Sequence, residues 1–235
     1  MPADTSSTYA SGPLQALLQR ELAMLAPLLG GIYGVWGLHL RPHRHAPLTL
    51  PPHLLSAVVE LALDEAGGCT GALRCEPGQL PFASESFKLV VAQHVLEQVA
   101  APEGGVEEVA RVLAPEGVAL LFGFNPSSLW RPWVSRRLPR RLQFGSAAGW
   151  REKLQRAQLD VLQVRYAGPW SPWSVADPAD AREPRWLPVF GRFGASWMLI
   201  ARKRRSTLTP LRLTSVRADL KLNPTLVSGA HRECA

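Results

Sequence analysis

The chain has 235 residues and a mass of 25.7 kDa, with 46% hydrophobic and 19% charged residues. This length and composition suit one domain with a buried core and exclude a wholly disordered, collagen-like or coiled-coil protein. Three cysteines without close or metal-ligand spacing exclude a disulfide framework and indicate a reducing compartment. We therefore expect a cytoplasmic protein.

The positive charge is concentrated at the end of the chain. The net charge is +7, and residues 202–235 hold eight Lys and Arg against two acidic residues, or +6. The other 201 residues hold 18 basic and 17 acidic groups, or +1. Residues 203–235 are therefore predicted to be a basic, disordered tail. Residues 1–12 are polar, lack a signal-peptide pattern and are predicted to be disordered.

Hydrophobic periodicity places helices and strands along the chain. Leucines three and four residues apart, for example, predict a helix over 13–29. The uncharged stretch 22–40 approaches a membrane-spanning length, but Pro27 and several glycines interrupt it. A helix followed by a buried strand is expected there, and no membrane span. The predicted helices are 13–29, 54–65, 102–113 and 146–158, and the predicted strands are 32–40, 70–75, 87–92, 118–124, 161–166 and 195–201.

The clearest unit lies in the middle of the chain. Segment 87–92 is a short apolar run rich in valine, 102–113 has the pattern of an amphipathic helix, and 118–124 is a second apolar run. A strand, a helix and a second strand in fewer than 40 residues form a βαβ unit. Such a unit has a right-handed crossover and implies an open α/β sheet.

Short motifs between Gly71 and Pro126 follow one another in a characteristic order. They are Glu76, Leu80-Pro81-Phe82, Ser86-Phe87-Lys88-Leu89-Val90, Gln93-His94-Val95-Leu96-Glu97-Gln98-Val99, Glu107 to Leu113 and Pro115-Glu116-Gly117. This order resembles the class I S-adenosylmethionine-dependent methyltransferases, specifically the methyltransferase type 11 group of small-molecule enzymes. The resemblance implies a Rossmann-like α/β fold with a mostly parallel sheet, a late antiparallel strand and helices on both faces. The resemblance is strong over about a quarter of the chain and weaker over the helix at 146–158 and the late strands. The predicted methyltransferase-like domain is 13–202, in which 168–193 is an irregular insertion.

The resemblance also implies S-adenosylmethionine as the cofactor. In an open α/β sheet, ligands bind beyond the carboxyl ends of the strands. By resemblance, Glu76 would accept a hydrogen bond from the adenine amino group, and Leu80 and Phe82 would form the wall of the adenine pocket. Gln93 and His94 would line the methionine side. His94 is also the predicted catalytic group, because it is the titratable base that we can place near this pocket.

The sequence departs from the family pattern at two places. The family's first strand ends in an acidic residue followed by Gly-x-Gly-x-Gly, and the counterpart here is the segment 31–37. Its Gly34 and Gly37 are the predicted cofactor-binding glycines. In the family, an acidic residue after the second strand holds the ribose hydroxyls. Glu60 and Asp64 are the nearest choices, although both lie in a predicted helix.

Two functional hypotheses follow from these motifs. The first is an S-adenosylmethionine-dependent methyltransferase that acts on a small molecule. The second is a catalytically inactive protein with the methyltransferase fold that acts as a binding or scaffolding partner. They differ in whether the segment 31–37 still contacts the cofactor.

Other candidate sites are weaker. Arginines in the run 131–141 lie beside aromatic residues, a combination that suits nucleic acid, but a solvated helix face is the favoured interpretation. Asn125, which precedes a proline, is predicted to form a turn or helix cap at the mouth of the pocket. The histidines at 39, 43 and 45 have no cysteine or acid nearby, so no metal site is predicted.

Overall fold

A computed structural model describes residues 8–9, 12–46, 49–138, 142–174 and 193–204 of the protein. All of them fall within one compact unit, Met1–Arg205. Most of the predicted N-terminal segment 1–12, of the predicted insertion 168–193 and of the predicted tail 203–235 lies outside the described residues.

One mixed sheet forms the centre of the described chain. Its strands are β1 (Tyr33–Arg41), β2 (Leu54–Leu63), β3 (Cys69–Gly71), β4 (Phe87–Gln93), β5 (Leu113–Phe124), β6 (Leu159–Ala167) and β7 (Ser196–Lys203). Their order across the sheet is β3-β2-β1-β4-β5-β7-β6. The central pairs β2·β1, β1·β4 and β4·β5 are parallel, whereas β7 lies antiparallel between β5 and β6. The short β3 is also antiparallel, because a tight turn joins it to β2.

Helices cover both faces of this sheet. They are α1 (Gly12–Ala23), α2 (Ala26–Leu29), α3 (Pro102–Val112), α4 (Trp130–Arg137) and α5 (Ala147–Arg156). Side chains of α3 and α5 pack with one face of the sheet, and side chains of α1 and α4 pack with the other. The predicted α/β fold, with a mostly parallel sheet, a late antiparallel strand and helices on both faces, is therefore confirmed. None of the helices in the described part of the chain is long and apolar enough to cross a bilayer.

The predicted βαβ unit is present as β4, α3 and β5. The rest of the late chain also follows the prediction: α5 begins after Ser146, whose side chain accepts a hydrogen bond from the Gly149 N–H at 3.2 Å. This contact is an N-cap, which satisfies one of the free N–H groups of the first turn. The two late strands, β6 and β7, pair with each other as expected.

The predicted helix at 54–65 is wrong, because this segment is the ten-residue strand β2. Its sequence, LLSAVVELAL, is apolar at eight of ten residues, although only Leu55 and the last three residues are buried. An apolar run of this length fits a helix and a buried strand equally well. The pairing with β1, from Tyr33 opposite Leu54 to Arg41 opposite Ala62, decides for the strand.

Two smaller predictions also need correction. The single helix predicted over 13–29 is divided into α1 and α2, because Pro27 lies in the first turn of α2 and has no N–H to continue the earlier helix. The strand predicted over 70–75 is limited to Cys69–Gly71.

The connection from β1 to β2 contains no helix among its described residues. Residues 42–53 must return the chain from the carboxyl end of β1 to the amino end of the parallel strand β2. The described residues of this connection include a turn, in which the Ala46 N–H donates to the His43 carbonyl at 3.2 Å. Leu50 anchors the connection to the apolar cluster beneath α1.

Replacing Gly123 by alanine is expected to destabilise the protein. A Cβ at this position of β5 would lie 2.2 Å from the ring of Trp197, which is 2% exposed and donates its indole N–H to the Gly145 carbonyl at 2.9 Å. We expect the free energy of unfolding to fall by about 1–3 kcal/mol in denaturant titrations. As the control, Gly104→Ala in α3 meets no atom within 4 Å and should raise it by about 0.5–1 kcal/mol. Equal losses in the two variants would contradict this account.

Candidate functional site

The carboxyl ends of the parallel strands meet at one edge of the sheet, where ligands bind in open α/β folds. At this edge β1 ends at Arg41, β2 at Leu63, β4 at Gln93 and β5 at Phe124. The residues that follow these strands are therefore the candidates for a functional site.

A buried cluster of charged side chains lies at the carboxyl end of β4. The Nδ1 atom of His94 is 2.7 Å from Oε1 of Glu97, and its Nε2 atom is 3.0 Å from Oε1 of Glu21 on α1. The side chains of His94 and Glu21 are 0% exposed and that of Glu97 is 1% exposed. We call these three residues the carboxylate–histidine cluster.

Neighbouring groups satisfy the remaining carboxylate oxygens of the cluster. Gln93 donates from Nε2 to Oε2 of Glu21 at 2.8 Å and to the Leu18 carbonyl at 3.0 Å. The backbone N–H of Phe124 donates to Oε2 of Glu97 at 3.0 Å. The cluster therefore joins α1, β4 and the end of β5 through direct hydrogen bonds.

The charge state of His94 follows from its two carboxylate partners. Burial by itself would lower the pKa of this imidazole, but the negative charges of Glu21 and Glu97 and their hydrogen bonds raise the pKa from 6.5 to about 10. At neutral pH the ring is an imidazolium, which has no lone pair to accept a proton. In this geometry the His94 side chain holds α1 against the sheet, and its catalytic role stays a prediction.

The predicted glycine loop is absent from the carboxyl edge. Gly34 and Gly37 lie inside β1, towards its amino end, so the backbone at these two predicted cofactor-binding glycines is a strand. Their lack of a side chain is explained by close packing: a Cβ at Gly34 would lie 2.8 Å from Cβ of Lys88, and one at Gly37 would lie 2.6 Å from a methyl of Leu55. At the carboxyl end, β1 continues into the glycine-free sequence Arg41-Pro42-His43.

The predicted adenine residues follow β3 but point in different directions. Glu76 is exposed in a turn that the Gln79 N–H closes by donating to the Glu76 carbonyl at 3.0 Å. Leu80 is 4% exposed, and Phe82 packs edge-on against Phe87 with their ring centroids 4.9 Å apart. The structure thus places Gln93 and His94 together at Glu21. Leu80 and Phe82 lie together in the hydrophobic core cluster on one face of the sheet.

A cavity of about 500 Å³ lies beside the ends of β1 and β2. Its polar lining includes Arg41, whose guanidinium is 3.0 Å from Oε2 of Glu60. Beneath it, His39 is fully buried, and burial lowers the pKa of its imidazole. The cavity is lined by Arg41, Arg44, Val58, Glu60, Leu61, Ala62, Thr70, Gly71 and Ala72. It includes one of the two ribose candidates and none of the residues predicted to bind the cofactor.

The other ribose candidate, Asp64, directly follows β2. Its Oδ1 atom accepts the N–H groups of Gly67 and Gly68 at 2.8 and 3.0 Å, which closes the turn into β3. The sequence identifies this acid as a candidate, but in the helix that was wrongly predicted at 54–65. Asn125 forms a turn as predicted, because its Oδ1 accepts the Ser127 N–H at 3.1 Å.

Sequence reasoning missed Glu21 and Glu97. The signal for Glu21 was available, since this charged residue lies on the leucine-rich face of the first predicted helix, beside Leu17 and Leu18. A charge on such a face requires a buried partner. That partner, His94, is 73 residues away and could not be identified from spacing.

Only part of the site fits S-adenosylmethionine, the cofactor that the motifs imply. Asp64, Glu76 and the cavity beside Glu60 supply carboxylates and space for an adenosine group. The amino-acid end of the cofactor has no comparable place, because no glycine follows β1 and because the fully bonded carboxylate–histidine cluster occupies the end of β4. We therefore assign no chemical step to a bound cofactor.

Comparisons with known proteins agree with the fold. Residues 54–121, from β2 into β5, match the model of the methyltransferase domain family. An S-adenosylmethionine-dependent methyltransferase from Thermotoga maritima has a TM-score of 0.56 and 15% identity, over 81% of this chain and 92% of that chain. One from Mesorhizobium loti has the same score and identity, over 78% and 98%. A Haloferax volcanii methyltransferase, in complex with the Trm112 methyltransferase activator, has a TM-score of 0.53 and 16% identity, over 79% and 89%.

No curated protein matches the sequence. At these identities the solved structures establish the fold, and the domain match places the conserved pattern of the family on β2 to β5. The recognition made from the sequence is therefore confirmed: the chain carries the methyltransferase domain pattern on a class I, Rossmann-like methyltransferase fold.

Removal of the Glu21 carboxylate is expected to destabilise the protein strongly, because it leaves His94 with one of its two buried counter-charges. We expect Glu21→Ala to lower the free energy of unfolding by about 3–5 kcal/mol in urea titrations. The control is Glu152→Ala on α5, whose carboxylate is 65% exposed and pairs with Arg156 four residues along the helix. Its effect should stay within about 0.5 kcal/mol. A small effect at Glu21 would show that the cluster contributes little.

Stability should also depend on pH through His94. Folding raises the pKa of His94 from 6.5 to about 10, so the folded protein binds the proton more tightly than the unfolded chain does. The resulting stabilisation is fully present below pH 6.5 and is lost as the pH rises to about 10. Over this range the free energy of unfolding should fall by up to about 1.4 kcal/mol per pH unit. Urea titrations across this range would measure the slope. His94→Gln cannot titrate, so an undiminished slope in that variant would assign the dependence to other groups.

Proposed function

We propose that the protein is an S-adenosylmethionine-dependent methyltransferase that acts on a small-molecule acceptor. The observation that carries this proposal is the strand order β3-β2-β1-β4-β5-β7-β6 together with the family match over 54–121, which includes the ends of β2 and β4. The fold places the residues that follow these strands at one edge, where a cofactor and an acceptor can meet.

In this proposal the chain's own residues bind and orient the adenosine end of the cofactor. Glu76 accepts a hydrogen bond from the adenine amino group, and Leu80 and Phe82 supply the apolar wall beside it. Gln93 lies next to the methionine side, and Asp64 follows β2, where the ribose hydroxyls would be held. Gly34 and Gly37 are not part of the proposal, since both lie within β1. The proposed location is the cytoplasm, in keeping with the free thiols of Cys69 and Cys75.

One observation favours a second candidate, a protein of this fold that does not transfer methyl groups and acts through binding. The carboxylate–histidine cluster is fully buried and bonded at the end of β4, and no glycine loop follows β1. Opening the cluster to admit the amino-acid end of the cofactor would separate charges that have no exposure to water. The two candidates differ in a measurable property, namely the affinity for the cofactor.

Calorimetric titration of the purified protein with S-adenosylmethionine and S-adenosylhomocysteine tests the proposal. We expect micromolar binding that Glu76→Gln weakens about tenfold, the loss of roughly one hydrogen bond to a charged group. The matched control is Glu107→Gln, an exposed glutamate on α3, which should bind as the wild type does. If Glu60→Gln weakens binding and Glu76→Gln does not, the nucleoside occupies the cavity beside Arg41 instead.

The opposite result is equally informative. Absence of binding up to millimolar cofactor, by protein that is folded and monodisperse, would exclude the methyltransferase and leave the binding protein. Binding that is unchanged in the Glu76, Glu60 and Glu107 variants would place the cofactor at a different edge of the sheet.

A further inference from the structure

Three segments meet at the carboxyl ends of β5 and β6, at the side of the sheet away from the cavity. They are residues 125–130, 168–174 and 193–195. The hydrogen bonds that join them are Asn125 N to the Ala195 carbonyl at 2.9 Å, Asn125 Nδ2 to the Gly194 carbonyl at 2.9 Å, Leu129 N to the Trp170 carbonyl at 3.1 Å and Trp130 Nε1 to the Pro169 carbonyl at 2.9 Å. These bonds hold the backbones of all three segments together.

Each segment leaves a large apolar side chain in water. Leu129 is 38% exposed, Trp170 49%, Trp173 75% and Phe193 50%. We call these four residues the aromatic patch. Large apolar side chains grouped in this way on a folded protein mark a surface that contacts another apolar phase or molecule.

The charge beside the aromatic patch is entirely positive among the described residues. Arg131, Arg136 and Arg137 lie on the exposed side of α4, which begins next to Leu129, and the three segments and α4 contain no aspartate or glutamate. The guanidinium of Arg137 lies 4.3 Å from the centroid of the Trp133 ring. This cation–π contact keeps the charge close to the apolar surface.

We propose that the aromatic patch and α4 bind the surface of an anionic lipid bilayer. Tryptophan and phenylalanine side chains partition into the interface between headgroups and acyl chains, and arginines attract the phosphates of anionic lipids. The patch supplies the first kind of group and α4 supplies the second. Such binding is peripheral, and it does not depend on whether the protein transfers methyl groups.

RNA is the competing partner for a surface of arginines and aromatic rings. Single-stranded RNA would need open ring faces on which to stack its bases. Trp133, which lies among the arginines, is 7% exposed and already covered by Arg137, so the open rings are those of the patch itself. Leu129, which belongs to the same patch, has no ring. An apolar aliphatic group beside tryptophans fits a lipid interface better than it fits a base.

Sedimentation of the full chain with lipid vesicles tests the proposal. We expect the affinity for vesicles of phosphatidylcholine and phosphatidylglycerol to be at least tenfold higher than the affinity for vesicles of pure phosphatidylcholine. The fraction of protein bound to the anionic vesicles should decrease as the salt concentration is raised. Absence of binding to the anionic vesicles at low salt would overturn the proposal.

Matched variants locate the binding surface. The double variant Trp170→Ser/Trp173→Ser should lose at least tenfold in vesicle affinity, and Arg136→Gln about fivefold. The controls are Trp36→Ser, which removes a 47% exposed tryptophan from β1, and Arg151→Gln on the exposed side of α5. Neither control should change vesicle binding. Because all of these side chains are exposed, the variants should keep the thermal midpoint of the wild type.

Two results would contradict the assignment of this surface. Vesicle binding that both patch variants leave unchanged would place the lipid contact elsewhere, for example in the basic residues beyond 204. Binding of a single-stranded oligoribonucleotide that the same variants abolish, without vesicle binding, would identify RNA as the partner.

Discussion

The position of the first helix against the sheet depends on one buried imidazolium. His94 lies between Glu21 and Glu97 and contacts both carboxylates. The Gln93 side-chain amide and the Phe124 N–H donate to carboxylate oxygens of Glu21 and Glu97 and complete their hydrogen bonds. Water cannot take the place of these donors, because the cluster side chains are at most 1% exposed. The arrangement therefore fixes α1, β4 and β5 in one relative position.

This cluster also limits what the carboxyl edge of the sheet can bind. The central strands follow the order of the methyltransferase fold. At their carboxyl edge, however, the carboxylate–histidine cluster fills the end of β4. The cavity lies beside β1 and β2 instead. The fold thus supplies the frame of a methyltransferase, and the contents of its edge differ from what the sequence motifs alone suggest.

The sequence predicted the elements whose patterns are local and missed those that depend on distant partners. The unit β4, α3 and β5 was predictable because each element has its own period and is bounded by turn residues. The strand β2 was not, since its ten residues are long enough for a helix and lack the alternation that is typical of a half-buried strand. Gly34 and Gly37 resembled a ligand loop by spacing alone, whereas close contacts with Lys88 and Leu55 explain them.

The long separation of Glu21 and His94 in the sequence has a consequence for the order of folding. The first helix leaves the ribosome long before its charged partner, and the loop that their contact closes contains more than 70 residues. Closing such a loop costs conformational entropy that nearby contacts must first offset. Once β4 has paired with β5, His94 and Glu97 are in place and can accept the helix. The helix α1, which is synthesised before β4, is therefore expected to reach its final position after β4 and β5 have paired.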